Sequence, residues 1–429
     1  MRLLIKGGRV IDPANSLNAI MDLLLDEGRI VAVEKDLADD AAEVIDARDK
    51  LVCPGFIDMH VHLREPGYEY KEDITSGSKA AAAGGFTTVC CMPNTEPAID
   101  NAAIATFIRE RARKTGLANV LPIGTITRGR AGNELSEMAE LVSAGCIAVS
   151  DDGSPVMRAD VMRNGLEYAK MFALPVLAHS EDLNLSRDGQ MHEGYYSIIY
   201  GLKGIPVEAE EVMIARDIML ARLTGGHLHV CHISTMGAVD LIREAKEEGI
   251  KVTCEVTPHH LVLSDEAVGT YDANTKVSPP LRSWEHIEAL REALNEGVID
   301  CIATDHAPHH LESKDCEYVL ASPGISGLET AVALIMNELV HPRILDIERM
   351  VSLFTTGPAE ILGLDRGTLT PGKVADLTLL DPNMVRIVDP AKFYSKGKNT
   401  PFSGRELKGW PYMTIRAGKI VAREGKIMG

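Results

Sequence analysis

The 429-residue sequence lacks paired cysteines. Its eight cysteines form no C-x-x-C pair and lie mostly inside apolar runs, which argues against a zinc ribbon or a disulfide framework. A chain of this length also buries a core large enough to be stable without covalent links. The cysteines therefore indicate small buried side chains in a reducing cytosol.

Long hydrophobic segments are missing as well. The opening stretch MRLLIKGGRVID contains no extended apolar segment and no small-residue cleavage site. No uninterrupted apolar run approaches the ~18 residues that a membrane-spanning helix needs. We therefore expect a soluble, cytoplasmic protein.

Positive charge is scarce. The chain has 44 Lys and Arg against 62 Asp and Glu, a formal net charge of −18. Nucleic acids and anionic membrane surfaces both require a basic footprint, so neither is expected as a partner. The protein could still bind an anionic small substrate if local cations, such as Arg64, outweigh the negative electrostatic potential of the whole chain.

Strand-and-turn patterns occupy both ends of the chain. LLIKGGRVID and AIMDLLLDEGRIVAVE stand near the start, and GTLTPGKVADLTLLDP and YMTIRAGKIVAREGK stand near the end. Short strands bounded by Gly, Pro and Asp are typical of a small all-β unit. We predict one β-sandwich assembled from residues 1–54 and 365–429.

Between the ends, short apolar strands alternate with helical periodicity, which predicts an α/β (β/α)₈ TIM-like barrel over residues 55–364. A doubly wound open sheet is the alternative, but no G-x-G-x-x-G follows the first strand. The predicted barrel strands are 56–63, 86–92, 119–126, 146–151, 175–179, 227–233, 251–257 and 300–305.

Polar side chains fall at or just past the carboxyl ends of these strands, which converge on one mouth in a barrel. In MHVH, the side chains of His60 and His62 are two apart and so point to the same face. Four imidazoles and two carboxylates form a ligand set that suits zinc and would be costly to bury without a metal or full hydrogen bonding. This ligand set is His60, His62, His179, His232, Asp152 and Asp305. All the polar residues at these strand ends are His60, His62, Asn94, Asp151, Asp152, His179, His232, Asp305 and His306.

Zinc-assisted hydrolysis also needs a carboxylate that accepts a proton from water and passes it to the departing nitrogen. Asp305, on the last predicted strand, is the predicted catalytic residue. A purely ligating role and a helix N-cap role remain open for it.

Several motifs together resemble the amidohydrolase superfamily, and more specifically its dihydroorotase family of the longer bacterial type. They are PGFIDMHVHLREPG, GGFTTVCCMPNT, SDDGSPV, AHSED, HVCHIS and TDHAPHH. The resemblance covers almost the whole chain, and it implies zinc-dependent, reversible cyclisation of N-carbamoyl-L-aspartate to L-dihydroorotate in de novo pyrimidine synthesis. It also implies a homodimer and names aspartate transcarbamoylase as a candidate partner.

The resemblance further implies roles for single residues. Arg64 is placed to grip the substrate carboxylate with two parallel hydrogen bonds from its planar fork. The implied metal ligands are His60 and His62 for one zinc and His179 and His232 for the other, with Asp152 bridging and Asp305 as ligand and general base or acid. The implied substrate contacts are His62, Arg64, Asn94, Ser278, His309 and backbone groups near Pro323 and Gly324.

Two features depart from the family pattern. The fourth strand, CIAVSDDG, offers no lysine to carry a bridging carboxylate, so Asp152 takes that register position. We therefore expect one tightly bound zinc and a second, weaker one. The family sequence N-P-P-L-R reads S-P-P-L-R here, and Ser278 offers a single hydroxyl where an amide is expected.

Other functions remain open. A hydantoinase, dihydropyrimidinase or allantoinase shares the metal residues, and Arg64 and Asn94 favour dihydroorotase over these. A noncatalytic scaffold for aspartate transcarbamoylase would be expected to lack some metal histidines, whereas this chain retains all four; Ser278 alone leans towards a scaffold.

Two further stretches have an open or a structural interpretation. The run from 307 to 327 is either a lid over the mouth or an ordinary surface loop. His227 and His229 share the H-x-H spacing but begin strand six, at the stability end of the barrel, so a structural role is predicted for both.

Overall fold

The computed structural model describes residues 2–428, and the chain begins with five strands. The first is antiparallel to the second, and the second to the third. The fourth and fifth run parallel to different halves of the first. These strands are β1 (Leu3–Asp12), β2 (Leu17–Asp26), β3 (Arg29–Glu34), β4 (Glu43–Asp46) and β5 (Leu51–Pro54).

Gly55 separates this sheet from the next strand, which begins at Phe56. A Cβ at position 55 would lie 2.2 Å from Thr87 Oγ1, so no larger residue fits where the chain crosses its neighbour. The Gly55 amide donates to Asp376 O at 2.8 Å. The amino-terminal sheet is thereby joined directly to the carboxyl-terminal part of the chain.

Eight parallel strands follow, one within each predicted strand range, and they form the barrel. Each is shorter than predicted. In most of them the last predicted residues lie beyond the ladder, at the mouth, whereas β9 starts three residues later than predicted. A separate short pair, β11 and β12, lies in the connection after the fifth barrel strand. The strands are β6 (Phe56–Val61), β7 (Phe86–Cys91), β8 (Asn119–Pro122), β9 (Val149–Ser150), β10 (Pro175–Ala178), β11 (Met191–His192), β12 (Gly204–Ile205), β13 (His227–Val230), β14 (Val252–Val256) and β15 (Cys301–Ile302).

The barrel closes through two seams between its sheets, β6-β7-β8 and β9-β10-β13-β14-β15. At one seam Ser150 N donates to Gly124 O at 2.8 Å, and at the other His62 N donates to His306 O at 2.9 Å. The second seam brings the first and last barrel strands side by side. The predicted (β/α)₈ barrel is confirmed.

Helices cover the outside of the barrel, and no helix among residues 2–428 has the length and apolar content needed to cross a bilayer. One of them is capped at both ends: Asn101 accepts hydrogen bonds from Ala103 N and Ile104 N, and Gly116 ends that helix at φ 67°. The helices are α1 (Ile74–Ala83), α2 (Ala102–Thr115), α3 (Met138–Ser143), α4 (Ala159–Lys170), α5 (Tyr195–Tyr200), α6 (Glu208–Thr224), α7 (Met236–Glu247), α8 (Pro258–Val262), α9 (Trp284–Glu296), α10 (Ala331–Ile335), α11 (Ile347–Phe354) and α12 (Thr356–Leu362).

The barrel interior is packed with small and medium apolar side chains drawn from different strands, as close packing of a narrow barrel requires. Seven of the eight cysteines are buried and all eight are free thiols. They are therefore the small buried residues that their position in apolar runs indicates. The interior cluster includes Met59, Cys90, Ile123, Ala148, Leu177, Cys231, Cys301 and Ala303.

The last strands return to the first sheet. β16 (Leu377–Ile387), β17 (Glu406–Arg416), β18 (Lys419–Arg423) and β19 (Lys426–Ile427) complete a nine-stranded sheet in which β16 is antiparallel to β5. Apolar residues of both chain ends share one buried cluster, including Leu3, Leu23, Leu377 and Ile415. Both ends thus build the β-sandwich that accompanies the barrel.

One part of the carboxyl-terminal region lies against the barrel mouth. Between β16 and β17, Asn399 Nδ2 donates to Ala307 O and Gly324 O, both at 3.0 Å. Its Oδ1 accepts from His309 N at 3.0 Å. This segment therefore supports the barrel's last loop, a contact that the sequence pattern did not indicate.

Candidate active site

The predicted site residues converge on the carboxyl-terminal mouth of the barrel. His60 lies near the end of β6 and His62 just beyond it, His179 follows β10, and His232 follows β13. Asp305 sits three positions past β15 and beside β6, because the seam at His62 and His306 joins those strands. Strand ends far apart in the sequence are thus brought to one point.

Four imidazoles and two carboxylates form a compact cluster there. His62 Nε2 lies 2.9 Å from Asp305 Oδ1, and His60 Nε2 lies 3.5 Å from the same oxygen. Asp152 Oδ1 is 3.4 Å from His60 Nε2, 3.6 Å from His232 Nε2 and 3.7 Å from His179 Nδ1. Asp152 therefore stands between the two pairs of histidines.

Three of the four histidines have their outward ring nitrogen held by a hydrogen bond. His60 Nδ1 lies 2.5 Å from Glu255 Oε1, and His179 Nε2 lies 2.9 Å from Glu181 Oε2. His62 Nδ1 lies 2.9 Å from Asn94 Oδ1. Because an oxygen acceptor requires N–H on the facing nitrogen, these bonds place a proton on the outward nitrogen of each ring and fix the ring's orientation.

The electrostatics of the cluster favour positive charge. Burial opposes a charge on His60, yet Asp152, Glu255 and Asp305 outweigh it and raise the pKa of His60 well above its usual value. Burial likewise opposes ionisation of Asp152, but the adjacent imidazoles hold its pKa well below the usual range. The carboxylates thus remain ionised and require nearby cationic charge.

Two buried atoms of this cluster have no hydrogen-bond partner among the described residues: His60 Nε2 and Asp152 Oδ1. They face each other at 3.4 Å, and a buried polar atom without a hydrogen-bond partner is costly. His60, His62 and Asp305 can present ligand atoms to one cation, and so can His60, Asp152 and His232. Imidazole nitrogens and carboxylate oxygens are zinc ligands, so these residues fit a metal ion.

A cavity of about 580 Å³ opens above the cluster. Of the predicted site residues, His60 is fully buried beneath its floor. The other predicted site residues all line this cavity: His62, Arg64, Asn94, Asp152, His179, His232, Ser278, Asp305, His309, Pro323 and Gly324. Their assignment as ligands or substrate contacts stays a prediction.

Arg64 is the cavity's candidate for anion recognition. Its Nε donates to Pro308 O at 3.3 Å, and among residues 2–428 its terminal guanidinium nitrogens have no hydrogen-bond acceptor. Burial lowers the pKa of Arg64, while Asp305 and Asp152 oppose that shift. The side chain therefore stays charged and offers its planar fork to the cavity.

His309 is held as a neutral imidazole on the same wall. Burial and the nearby Arg64 lower the pKa of His309 to about 2. Its Nε2 lies 2.9 Å from Pro323 O, so this nitrogen donates. Nδ1 is buried without a hydrogen-bond partner in the described part of the chain and is free to accept one from a ligand.

Three site residues adopt a left-handed backbone: Arg64 at φ 60°, His232 at φ 33° and Asp305 at φ 45°. This region is uncommon for residues with a Cβ and clusters at functional sites. In each case the turn comes where the chain leaves a barrel strand. The conformation aims these side chains across the mouth instead of along the loop.

Sequence reasoning missed four residues that support the site: Glu181, Glu255, Lys276 and Asn399. Glu255 carried a signal, since it is a charged residue inside the otherwise apolar strand KVTCEVT. Glu181 stands two positions after His179 within the AHSED motif. Lys276 lines the cavity and donates from Nζ to Gln190 Oε1 at 2.6 Å, a contact that local pattern does not indicate.

Comparison with known proteins agrees with this site. A family profile described as Dihydro-orotase-like matches residues 49–238, and one described as Amidohydrolase family matches residues 221–422. The L-hydantoinase (dihydropyrimidinase) of Arthrobacter aurescens superimposes with a TM-score of 0.90 at 26% identity, covering 100% of this chain and 97% of that one.

Curated relatives are closer in sequence. The dihydroorotase of Pelotomaculum thermopropionicum is 54% identical, covering 99% of both chains. That of Pelobacter propionicus is 51% identical over 99% of this chain and 100% of its own. At this identity over the full length, the chain belongs to the dihydroorotase family of the amidohydrolases.

Proposed function

We propose that this protein is a zinc-dependent dihydroorotase of the cytoplasm. It interconverts N-carbamoyl-L-aspartate and L-dihydroorotate in de novo pyrimidine synthesis. One observation carries the proposal: a single cavity combines the histidine and aspartate cluster with Arg64, a charged fork free to bind a carboxylate. The relatives named dihydroorotase support it, and eight free thiols support a reducing compartment.

The ligand set proposed for zinc is His60, His62, Asp152, His179, His232 and Asp305. Bound zinc lowers the pKa of a coordinated water to about 7 and polarises a carbonyl oxygen. We propose one tightly bound ion and a weaker second one, because the short side chain of Asp152 replaces a longer bridge. The unsatisfied His60 Nε2 and Asp152 Oδ1 support binding at this position.

Asp305 is the proposed proton carrier. In the hydrolytic direction, a water oxygen adds to the ring amide carbonyl, the carbon–nitrogen bond breaks, and one water proton moves to the departing nitrogen. The other proton is released when the new carboxyl group ionises. Asp305 accepts that proton and delivers it, and the cyclisation reverses each transfer. Burial opposes ionisation of Asp305, but His60 and His62 lower its pKa well below the usual range, so the carboxylate starts unprotonated.

Substrate orientation is assigned to the opposite wall. Arg64 binds the ring carboxylate in two parallel charge-assisted bonds. His309 accepts a substrate N–H group at Nδ1, since its other nitrogen is occupied by Pro323 O. Asn94 holds His62 through its oxygen and keeps its amide N–H groups for the substrate, together with Ser278 and the backbone near Gly324.

A substrate comparison tests the proposal. The purified, zinc-loaded protein is assayed with dihydroorotate, hydantoin and dihydrouracil under matched conditions. We expect dihydroorotate to give the highest kcat/KM, because only that ring carries the carboxylate that Arg64 recognises. Preference for a neutral ring would assign the protein to the hydantoinases, and turnover of none would support a scaffold role.

From the family resemblance, we also propose that the protein forms a homodimer and associates with aspartate transcarbamoylase. Light scattering on the purified chain, alone and mixed with that enzyme, measures both. If size-exclusion chromatography with light scattering shows a monomer that elutes separately from the transcarbamoylase, both the homodimer and the association are excluded.

A further inference from the structure

A chain of polar side chains runs from the metal-binding cluster down the inside of the barrel. It starts at His60 and continues through Glu255 and His229 to Thr253 and His227. These last four residues lie on the adjacent strands β13 and β14, where His229 is paired with Thr253 in register. Alternate residues of a strand share one face, so His227 and His229 point the same way, as do Thr253 and Glu255.

Each link is a close contact. Glu255 Oε1 lies 2.5 Å from His60 Nδ1, and Glu255 Oε2 lies 3.2 Å from His229 Nε2. Thr253 Oγ1 lies 2.9 Å from both His229 Nδ1 and His227 Nε2. The carboxylate of Glu255 therefore bridges two imidazoles, one of which belongs to the predicted metal site.

The hydrogen-bond directions follow from the acceptors. A carboxylate accepts at both oxygens, so His60 donates from Nδ1 and His229 donates from Nε2. His229 then accepts at Nδ1 from the Thr253 hydroxyl, whose oxygen accepts from His227 Nε2–H. Each hydrogen bond in this series of side chains thus has one donor and one acceptor, and every donor points towards Glu255.

Glu255 is fully buried and has no arginine or lysine within salt-bridge distance among residues 2–428. The imidazoles of His60 and His229 are its only basic neighbours there. A buried anion needs compensating charge, or it is strongly destabilising. A cation bound by His60, Asp152 and His232, on the far side of the His60 ring, would supply further positive charge.

We propose that Glu255 and His229 are positioning residues for the metal centre, acting through His60. Glu255 fixes the His60 ring with Nε2 towards the metal and strengthens the electron donation from Nε2 to the metal. His229 holds the second oxygen of Glu255 so that the carboxylate cannot rotate away. The H-x-H pair of β13 thus has a functional member, His229, and a supporting one, His227. The inference rests on the proposed role of His60 as a ligand.

Zinc affinity tests this directly. Zn²⁺ binding to the metal-free full-length protein is measured by chelator competition, and the Co²⁺-substituted protein is followed by its visible absorption. We expect Glu255→Gln to weaken Zn²⁺ binding by about 10- to 100-fold and to shift the Co²⁺ absorption, since the charge behind His60 is lost. Affinity within twofold of the unchanged protein would overturn the proposal.

His229 provides a matched pair of variants that leave Glu255 in place. His229→Leu removes the donor and should weaken zinc binding, whereas His229→Gln keeps an N–H donor and should restore most of the loss. His227→Gln is the control, because His227 reaches the chain only through Thr253, and it should bind zinc normally. Equal zinc affinity for His229→Leu and the unchanged protein would refute the role of His229.

These outcomes are separable from the proposed catalytic function and from folding. Zinc binding requires no turnover of dihydroorotate, so an inactive protein that follows the predicted affinity order would refute only the proposed reaction. If Glu255→Gln fails to fold by circular dichroism, the two His229 variants decide the proposal alone.

Discussion

Replacement of Arg64 with methionine is the sharpest test of how this protein recognises its substrate. Methionine keeps the apolar length of the side chain and removes the guanidinium. Hydrogen bonds to charged groups contribute about 1.5–3 kcal/mol each. Losing two of them from the substrate complex therefore costs about 3–6 kcal/mol, or about 10²- to 10⁴-fold in kcat/KM.

The loss should appear mainly in KM. Arg64 contacts the carboxylate in both the bound substrate and the transition state, and removing such uniform binding raises KM with little change in kcat. Steady-state kinetics with dihydroorotate measures the division. Zinc content should stay unchanged, because Arg64 is not among the predicted ligands.

Two further variants distinguish the effect of the planar guanidinium of Arg64 from the effect of its positive charge. Arg64→Lys keeps a positive charge without the planar pair of donors and should recover part of the affinity. Arg187 lines the same cavity with a side chain that is 80% exposed, so Arg187→Met should change KM by less than about threefold, as expected for a solvent-screened charge. An Arg64→Met enzyme with unchanged KM for dihydroorotate would refute this account of recognition.

Further perturbations address the proton carrier, the metal, the loop and one buried amine. Asp305→Asn should lower kcat by about 10²- to 10⁴-fold, and full activity in that variant would exclude Asp305 as general base. Extensive dialysis should leave close to one zinc per chain by elemental analysis, and complete chelation should lower the thermal midpoint, with zinc restoring it; two ions retained per chain would contradict the weaker second site. Ser278→Asn should lower KM for dihydroorotate by adding an amide at the mouth, and a raised KM would show that the serine is itself the better contact. Burial and Lys276 lower the pKa of Lys314 to about 7 in the folded protein. Above pH 7 this amine is therefore neutral in the folded state but still protonated in the unfolded state. Its contribution makes the free energy of unfolding rise by about 1.4 kcal/mol per pH unit between pH 7 and 9. Lys314→Met should remove that rise in denaturant titrations, and an unchanged slope would contradict it.

The fold and much of the site were predictable because both follow from repeating local patterns. Apolar strands alternating with helical periodicity indicate parallel strands, and parallel strands bring their carboxyl ends together. His60, His179 and Asp305 could be grouped for this reason, although they lie far apart in the sequence.

The supporting residues were harder to find because their roles depend on register and on long-range contacts. Glu255 meets His229 only through the pairing of β13 with β14, which periodicity does not specify. Asn399 lies in an irregular segment that the pattern placed with the β-sandwich, whereas its side chain binds the barrel mouth. Local propensity contains no information about such a contact.

The position of Asn399 near the end of the sequence also bears on when the site is completed during translation. Its side chain binds Ala307 O from 92 positions later in the chain and holds the amide of His309. A nascent chain that has already produced all eight barrel strands still lacks this brace. A product truncated before Asn399 would keep every histidine and aspartate of the predicted metal cluster while its substrate-facing wall lacked support. We therefore expect the substrate-facing wall to be completed only after translation has passed Asn399.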